Sequence, residues 1–207
     1  MPIHSNFAYC SGGDLLTKDI RVKPDVDAMG ALGYAGWYAI RAILWANDYQ
    51  MPQRVAALPG HVVNETEVIL ACGATFLWQD GRVATIECSF LSDMSMDIIV
   101  HGSRGYPSLR DFVILYEENC ASFQSSSNVK FAGKLHNGWD PRPSEHSVIN
   151  ESPQEVLMVQ EFSRLVKSIR DTGGKPDPQW PAITRKTQIL VNAVNTSIKE
   201  GLISVTL

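Results

Sequence analysis

The chain has 207 residues, of which 44% are hydrophobic and 19% are charged, as is ordinary for a globular protein with a sizeable core. Its net charge of −4 gives no reason to expect a nucleic acid or an anionic membrane surface as a partner. No apolar run reaches the roughly 18 residues of a membrane-spanning helix, and residues 1–13 lack the basic and apolar regions of a secretory signal.

The N-terminal part predicts a strand, a loop, a helix and a second strand, in that order. Weak alternation indicates the first strand over residues 3–10, and residues 11–27 form the polar loop. A strand over residues 55–63 follows the helix. The helix itself is predicted over residues 31–47, because apolar side chains recur on one of its faces (Leu32, Ile40, Ile43, Leu44).

The start of this helix is a glycine-rich segment, defined here as residues 30–38. Glycine costs roughly 1 kcal/mol in a helix interior relative to alanine, yet this segment contains three (Gly30, Gly33, Gly36). Either they admit a closely packed neighbour, or they let a ligand approach the backbone. Tyr34 and Tyr38 stand four residues apart on one helical face and would form the wall of such a ligand site.

The clearest local signal is a β-hairpin. Strand-like residues 68–78 and 83–91 flank Asp80-Gly81, a dipeptide suited to a two-residue type I′ turn. One predicted face is the core face (Ile69, Ala71, Leu77, Ala84, Ile86, Cys88, Phe90). The opposite face carries several large apolar residues (Leu70, Phe76, Trp78, Val83, Leu91). It is too apolar for exposure to water, so we expect another chain or domain to cover it.

This register also bears on the four cysteines. It places Cys72 opposite Ser89 and Cys88 opposite Gly73, so the two thiols point to different faces and should not bridge. Without a Cys-x-x-Cys pair, the chain also lacks a zinc or redox motif. We therefore expect reduced cysteines and a cytoplasmic location.

The region after the hairpin is less regular. Residues 96–101 and 112–116 are predicted to be strands. Residues 117–148 are poorly patterned and are predicted to be a long loop with one or two short edge strands.

The last third predicts two helices and a short strand over residues 202–207. The first helix begins at a capping box, Ser152-Pro153-Gln154-Glu155, and ends at Gly173; its predicted buried stripe is apolar (Met158, Phe162, Leu165, Ile169). The second spans residues 181–200, with an inward stripe (Ile183, Leu190, Val194, Ile198). This order of elements predicts an α+β fold, a largely antiparallel open sheet with helices packed on one face.

Few residues indicate chemistry by their pattern alone. The chain has no dinucleotide-binding Gly-x-Gly-x-x-Gly and no phosphate loop, and its five histidines lack the spacing of metal ligands, so we expect no metal. Arg21 and Lys23 precede the glycine-rich segment and are either an anion-binding pair or exposed surface residues. Tyr38 is the best candidate for chemistry, because a phenol can donate a proton or orient a hydroxyl.

Two parts of the chain carry a family resemblance. Asp19-Ile20-Arg21-Val22-Lys23-Pro24 with the glycine-rich segment resembles the start of the C-terminal domain in the Gfo/Idh/MocA family of NAD(P)-dependent oxidoreductases. The tail is similar too (Ser152-Pro153-Gln154-Glu155, Glu161-Phe162, Trp180-Pro181, Arg185-Lys186-Thr187-Gln188). The closer resemblance is to a plant branch related to dimeric dihydrodiol dehydrogenase and NADP-linked xylose dehydrogenase.

The resemblance implies that residues 1–207 are a single substrate-binding and oligomerisation domain, and that the N-terminal Rossmann domain with the catalytic lysine motif is absent from the chain. NAD(P) is the implied cofactor, and a homo-oligomer through the open sheet face is the implied assembly. Tyr38 is expected to be catalytic, with Tyr34, Arg21 and Trp37 binding the substrate. Tyr34 stands where the family has an aspartate, so substrate binding in the usual manner is not expected.

Two functions follow as expectations. The chain is the substrate-binding and oligomerisation part of an NAD(P)-dependent oxidoreductase that acts on sugars or diols, and it is inactive alone because the cofactor site lies in the other domain. Alternatively, it is a catalytically silent interaction module that dimerises through its sheet.

Overall fold

The computed structural model describes residues 1–10, 13–27, 29–132 and 137–207. Twelve strands follow in chain order: β1 (Pro2–Ala8), β2 (Arg54–Ala57), β3 (Val62–Val63), β4 (Ile69–Leu77), β5 (Val83–Ser89), β6 (Ser95–Val100), β7 (Gly105–Leu109), β8 (Cys120–Ser127), β9 (Lys130–Ala132), β10 (Asn137–Asp140), β11 (Ser144–Ile149) and β12 (Val205–Thr206).

Ten of these strands form one open sheet. Its order is β11-β8-β7-β6-β1-β5-β4-β2-β12, with β3 also paired to β4, and β9 and β10 form a separate pair. Neighbouring strands are antiparallel except β1 and β5, which are parallel. The predicted α+β class with a largely antiparallel open sheet is confirmed.

The helices are α1 (Leu15–Lys18), a 3₁₀ turn (Ile20–Val22), a π-helical turn (Leu32–Gly36) that runs directly into α2 (Trp37–Trp45), α3 (Gln154–Thr172) and α4 (Gln179–Lys199). The described part of the chain contains no helix with both the length and the apolar character to cross a membrane.

The main core lies between one face of the sheet and the helices α2 and α4. It is built from fully buried side chains of the sheet, of α2 and of α4 (Ile3, Phe76, Ile86, Ile40, Leu44, Leu190, Val194). Hydrogen bonds tie α4 in place: Arg41 Nη1 donates to Thr187 Oγ1, and Ala57 N donates to Ser197 Oγ. These contacts hold α2 against the sheet, and α2 with the preceding π-helical turn carries two residues of the candidate site, Tyr38 and Tyr34.

The hairpin register differs from the prediction by one residue. Trp78 N donates to Arg82 O, and Gly81 adopts φ +85°, so the loop has three residues with glycine in the left-handed position. Cys72 therefore pairs with Cys88, and their sulfurs lie 3.4 Å apart as free thiols. The predicted pairing with Ser89 and Gly73 was wrong because a two-residue turn was assumed.

A shift of one residue exchanges the faces of a strand, and the face assignment of β4 is corrected accordingly. Leu70, Phe76 and Trp78 belong to the buried face, while Leu77 is exposed. On the open face, exposed apolar residues are concentrated at the hairpin and just after it (Leu77, Val83, Leu91). Three of the five large apolar residues predicted for this face therefore lie on the buried face instead.

Residues 105–149 contain more strand than predicted. The strand that follows β6 is β7 (Gly105–Leu109), and the predicted strand over residues 112–116 is irregular in the structure. A hydrogen bond from Tyr116 N to Asp111 Oδ2 closes this irregular segment. β8 and β11 pair at the sheet edge. Their serine-rich sequences lack an apolar period, so the prediction of a long loop with one or two short edge strands underestimated the strand content, which is four strands from β8 to β11.

The helix α3 departs most from expectation. It begins at Gln154 with Pro153 at the N-cap and no side-chain cap hydrogen bond, so the predicted capping box does not form. It ends as predicted, at Gly173, in the left-handed conformation. None of its residues is buried. The predicted buried stripe is partly or largely exposed, with Met158 67% and Phe162 66% exposed.

Candidate functional site

The candidate site is centred on Arg21, which a short 3₁₀ turn holds in place. Asp19 is the N-cap of this turn, and its Oδ1 accepts from Arg21 N at 2.9 Å. Arg21 Nη1 lies 3.1 Å from both carboxylate oxygens of Asp19. The same carboxylate thus fixes the backbone and the side chain of Arg21.

The guanidinium of Arg21 also lies over an aromatic ring. Its Cζ is 4.2 Å from the ring centroid of Tyr34, which is a cation–π contact. Partial burial is the largest single influence and lowers the pKa of Arg21, but the hydrogen bond to Asp19 and the charge interactions with Tyr34 and Asp19 together outweigh it, so the pKa is raised. The hydrogen bond that Arg21 N donates lowers the pKa of Asp19, and the hydrogen bond and charge of the Arg21 guanidinium lower it further. Both groups are therefore charged at neutral pH.

Four aromatic rings form the rest of the cluster. Tyr34 and Tyr38 meet edge to face, with centroids 6.3 Å apart. Phe7, from β1, contacts both rings at 6.2 and 5.7 Å, and Phe90, just after β5, contacts Tyr34 at 6.1 Å. Tyr34 is half-buried, whereas Tyr38 is 41% exposed. The cluster is thus an aromatic wall with a cation at one side and an accessible phenol at the other.

The glycines admit the sheet into close contact with this wall. Gly30 has φ +52°, and a Cβ there would overlap the carbonyl oxygen of Ile69. A Cβ on Gly36 would lie 3.2 Å from Cys88 Sγ. The space that these glycines leave is filled by β4 and β5. The segment therefore has no room for a cofactor pyrophosphate against these two glycines, and the residues present do not fit a dinucleotide there.

The four residues predicted for the site separate into two groups. Arg21, Tyr34 and Tyr38 lie together, as described above. Trp37 is half-buried and packs against the main core. Lys23, the second candidate for anion binding, is exposed. Within the described residues, no cluster of three or more His, Cys, Asp or Glu side chains could hold a metal ion.

The arrangement suits recognition of a small polar molecule. An arginine carries five N–H donors, and Asp19 takes up those of Nη1. A hydroxyl, carbonyl or carboxylate above Tyr34 could therefore accept from the guanidinium. Tyr38 could donate a hydrogen bond to the same molecule, and the aromatic faces provide apolar contact for C–H groups.

Sequence reasoning missed Asp19, Phe7 and Phe90 as parts of the cluster. Asp19 could have been identified from its position two residues before Arg21, because an aspartate side chain often accepts a hydrogen bond from the backbone N–H two residues later. Phe7 was visible as an inward position of the alternating first strand. Phe90 gave no local signal, because its place beside Tyr34 depends on how the strand and the helix pack.

Comparisons with known proteins agree with this architecture. Residues 2–107 match the profile of the GFO/IDH/MocA C-terminal domain.

Three solved structures share the fold at low sequence identity. An aldose-aldose oxidoreductase from Caulobacter crescentus, complexed with glycerol, aligns over 100% of this chain and 55% of its own, with TM-score 0.75 and 15% identity. A 3-ketoreductase from Actinomadura kijaniata, in complex with NADP and TDP-benzene, aligns over 94% and 53%, with TM-score 0.71 and 16% identity. A protein of gentamicin A biosynthesis, in complex with NAD, aligns over 100% and 55%, with TM-score 0.64 and 16% identity. The chain spans about half the length of each.

Proposed function

Because the chain belongs to the GFO/IDH/MocA family as a C-terminal domain, we propose that it is the substrate-binding and oligomerisation part of an NAD(P)-dependent oxidoreductase acting on sugars or diols. The structural relatives support this proposal, since they include an oxidoreductase of aldoses and proteins complexed with NADP or NAD. In the proposed enzyme, a second domain supplies the cofactor. Its free thiols fit a cytoplasmic location.

The observation that carries the proposal is the contact between Arg21, Tyr34 and Tyr38. The Arg21 guanidinium, kept charged and oriented by Asp19, donates to a substrate oxygen. Tyr38 is the catalytic group of this chain, because its exposed phenol can donate to a hydroxyl or carbonyl of the same substrate. Tyr34 supplies the aromatic face between them, and Trp37 acts only by holding α2 on the core.

Tyr34 changes the chemistry of the site. The family aspartate expected there would place a negative charge on the helix, whereas a phenol is neutral and can stack beneath Arg21. With a carboxylate at this position, Arg21 would have two acidic partners. The tyrosine leaves Asp19 as its hydrogen-bonded carboxylate and favours a substrate that itself carries an oxygen acceptor.

The test is saturation-transfer NMR of the full chain with D-xylose and with TDP-glucose. We expect transfer to the sugar protons, a loss of at least fivefold in affinity for Arg21→Gln, and a smaller loss for Tyr38→Phe. The matched control is Tyr116→Phe, because that phenol is 76% exposed and donates weakly to Arg110 O. No transfer to either sugar, or equal effects of the two phenol deletions, would contradict the proposal.

The interaction module remains a second candidate, because one face of the sheet is open. The paired residues Leu77 and Val83 are 38% and 39% exposed on that face. Light scattering after size exclusion should show a dimer, and Val83→Glu should weaken it by opposing burial of this patch. Gln79→Glu, in the adjoining loop, is the control. A monomer at all concentrations would exclude assembly through this face.

A further inference from the structure

Cys72 and Cys88 form a pair of touching thiols that the candidate site does not use. They lie directly opposite each other on β4 and β5, with both side chains on the buried face of the sheet. Their sulfurs are 3.4 Å apart, and Cys88 Sγ also lies 3.5 Å from Cys72 O. Neither belongs to a disulfide. Two thiols held in contact are the reduced half of a thiol–disulfide couple.

The backbone at this pair allows a disulfide to form. Opposed residues of antiparallel strands alternate between hydrogen-bonded pairs, with Cα atoms about 5.5 Å apart, and closer pairs without hydrogen bonds. Phe90 N donates to Leu70 O, and the cysteine pair lies two residues further along each strand, so it is a hydrogen-bonded pair as well. Disulfides usually join Cα atoms about 4.4–6.8 Å apart. Closure therefore needs rotation of the two side chains and no movement of the strands.

The two thiols have different parts in the oxidation. The contact with Cys72 and burial raise the pKa of Cys88, which therefore keeps its proton. Cys88 is also the more deeply buried of the two, 1% exposed against 6% for Cys72. Cys72 is thus the sulfur that reacts first, as its thiolate. The oxidant must be small enough to enter through local openings of the fold, as a hydroperoxide is.

The oxidation runs in two balanced steps. The Cys72 thiolate attacks one oxygen of hydrogen peroxide, the O–O bond breaks, and the departing hydroxide takes up the thiol proton as water, which leaves a sulfenic acid. The Cys88 sulfur then attacks the sulfenic sulfur, the S–O bond breaks, and the oxygen leaves as a second water with the Cys88 proton. The two sulfurs lose two electrons in total, and these reduce the peroxide.

The pair lies directly beneath the helix that carries the aromatic wall. Gly36 ends the π-helical turn, and a Cβ added there would lie 3.2 Å from Cys88 Sγ, so the backbone of the turn packs on this sulfur. Tyr34 lies two residues before Gly36 and Tyr38 two residues after it. Closing the disulfide moves Cys88 Sγ towards Cys72. Protein interiors are packed too closely for the backbone above to be unaffected by such a movement.

We propose that Cys72 and Cys88 are a redox switch, closed by a hydroperoxide and reopened by a dithiol reductant, whose closure shifts Tyr34 and Tyr38. The reductant opens the bond by thiol–disulfide exchange and is itself oxidised to a disulfide. The formation of the bond is independent of the proposed function. Its effect on sugar recognition rests on that function, because the two tyrosines are part of the proposed substrate site.

The test treats the folded 207-residue chain with hydrogen peroxide, blocks the remaining thiols in urea, and maps the peptides by mass spectrometry. We expect a linked Cys72–Cys88 peptide pair lighter by two hydrogens, which dithiothreitol separates. The variant with both Cys10→Ser and Cys120→Ser should form the same bond, whereas Cys88→Ala should form none and leave Cys72 carrying added oxygen.

NMR of the chain labelled with ¹⁵N-tyrosine reports on the candidate site without a sugar ligand. We expect the amide resonances of Tyr34 and Tyr38 to shift on oxidation and to return with dithiothreitol. The resonance of Tyr116 should not shift, because this residue follows β7, the third strand away from β5 in the sheet.

Three results would overturn the proposal. The first is a folded chain whose Cys72 and Cys88 stay unlinked while Cys10 and Cys120 gain oxygen. The second is a bond that forms only after urea unfolds the chain. The third is a bond that forms without any shift at Tyr34 and Tyr38, which would remove the coupling to the site. A switch that closes and shifts both tyrosines in a chain that binds no sugar would reject the proposed function alone.

Discussion

Gly30→Ala tests how closely the glycine-rich segment packs on the sheet. Gly30 has φ +52°, and an added Cβ would overlap Ile69 O and lie 2.7 Å from Val68 Cγ1. A left-handed alanine costs roughly 1–2 kcal/mol, and overpacking against immobile backbone costs roughly 1–3 kcal/mol more. Alanine also lowers the conformational entropy of the unfolded chain, which offsets about 0.4–1 kcal/mol of this destabilisation. We expect a net loss of about 3 kcal/mol in the free energy of unfolding.

The matched control is Gly201→Ala, after α4. Gly201 has φ +76° with no atom within 4 Å of an added Cβ, so the substitution carries the conformational cost alone, about 1 kcal/mol. Urea denaturation followed by tryptophan fluorescence gives both values. If the two variants lose equal stability, the contact between Gly30 and β4 does not constrain the fold, and the explanation for the glycines fails.

Three further predictions concern single groups. Ser197→Ala should cost about 1–3 kcal/mol in urea denaturation, because Ala57 N loses its buried acceptor. The stability difference between wild type and Asp19→Asn should be present at pH 7 and shrink below about pH 4, because a carboxylate with a lowered pKa stabilises the fold only while ionised. A thiol reagent should leave Cys88 unmodified until the chain unfolds, because its contact with the neighbouring thiol and its burial raise its pKa.

Each of these predictions has a control and an opposing outcome. Thr184→Ala, at an exposed position of α4, should change the stability little; equal losses would show that the serine hydroxyl is unimportant. Asp25→Asn, at an exposed position, is the control for removing one carboxylate, and the same pH dependence in both variants would contradict the role given to the Asp19–Arg21 pair. For the thiols, Cys10 and Cys120 are partly exposed and should react in the folded chain. If all four thiols reacted in the folded chain, the burial of Cys72 and Cys88 would be contradicted.

The class of fold and most helix ends were predictable, because they depend on local chemistry. The apolar period of α4 predicted three of its buried residues (Ile183, Leu190, Val194) and the half-buried Ile198, and Gly173 and Gly201 end their helices with positive φ. The hairpin was predicted at the right place. Its register was not, because Asp-Gly suits a two-residue turn and also fits the last two positions of a three-residue loop.

The other errors arose where pairing or packing partners decide the structure. β8 and β11 have no apolar period, and they are strands because β8 pairs with both β7 and β11 near the sheet edge. The apolar stripe of α3 was identified, but the sequence pattern does not say which surface covers it. The proximity of the cluster was half predictable: Arg21, Tyr34 and Tyr38 were singled out and lie together, whereas Phe90 reaches them only through the tertiary fold. The roles of these residues in binding and catalysis stay predictions.

The position of β1 has a consequence for the order of folding. This strand lies inside the sheet between β5 and β6, and its hydrogen-bonded neighbours begin about 80 residues later in the chain. At roughly 5–20 residues per second, a ribosome needs about 4–16 s to make them. During that time β1 has no partner, although its side chains Ile3 and Phe7 must finally be buried. The sheet therefore closes late and through distant contacts, which is slow, and the newly made chain has to keep this first strand from pairing elsewhere.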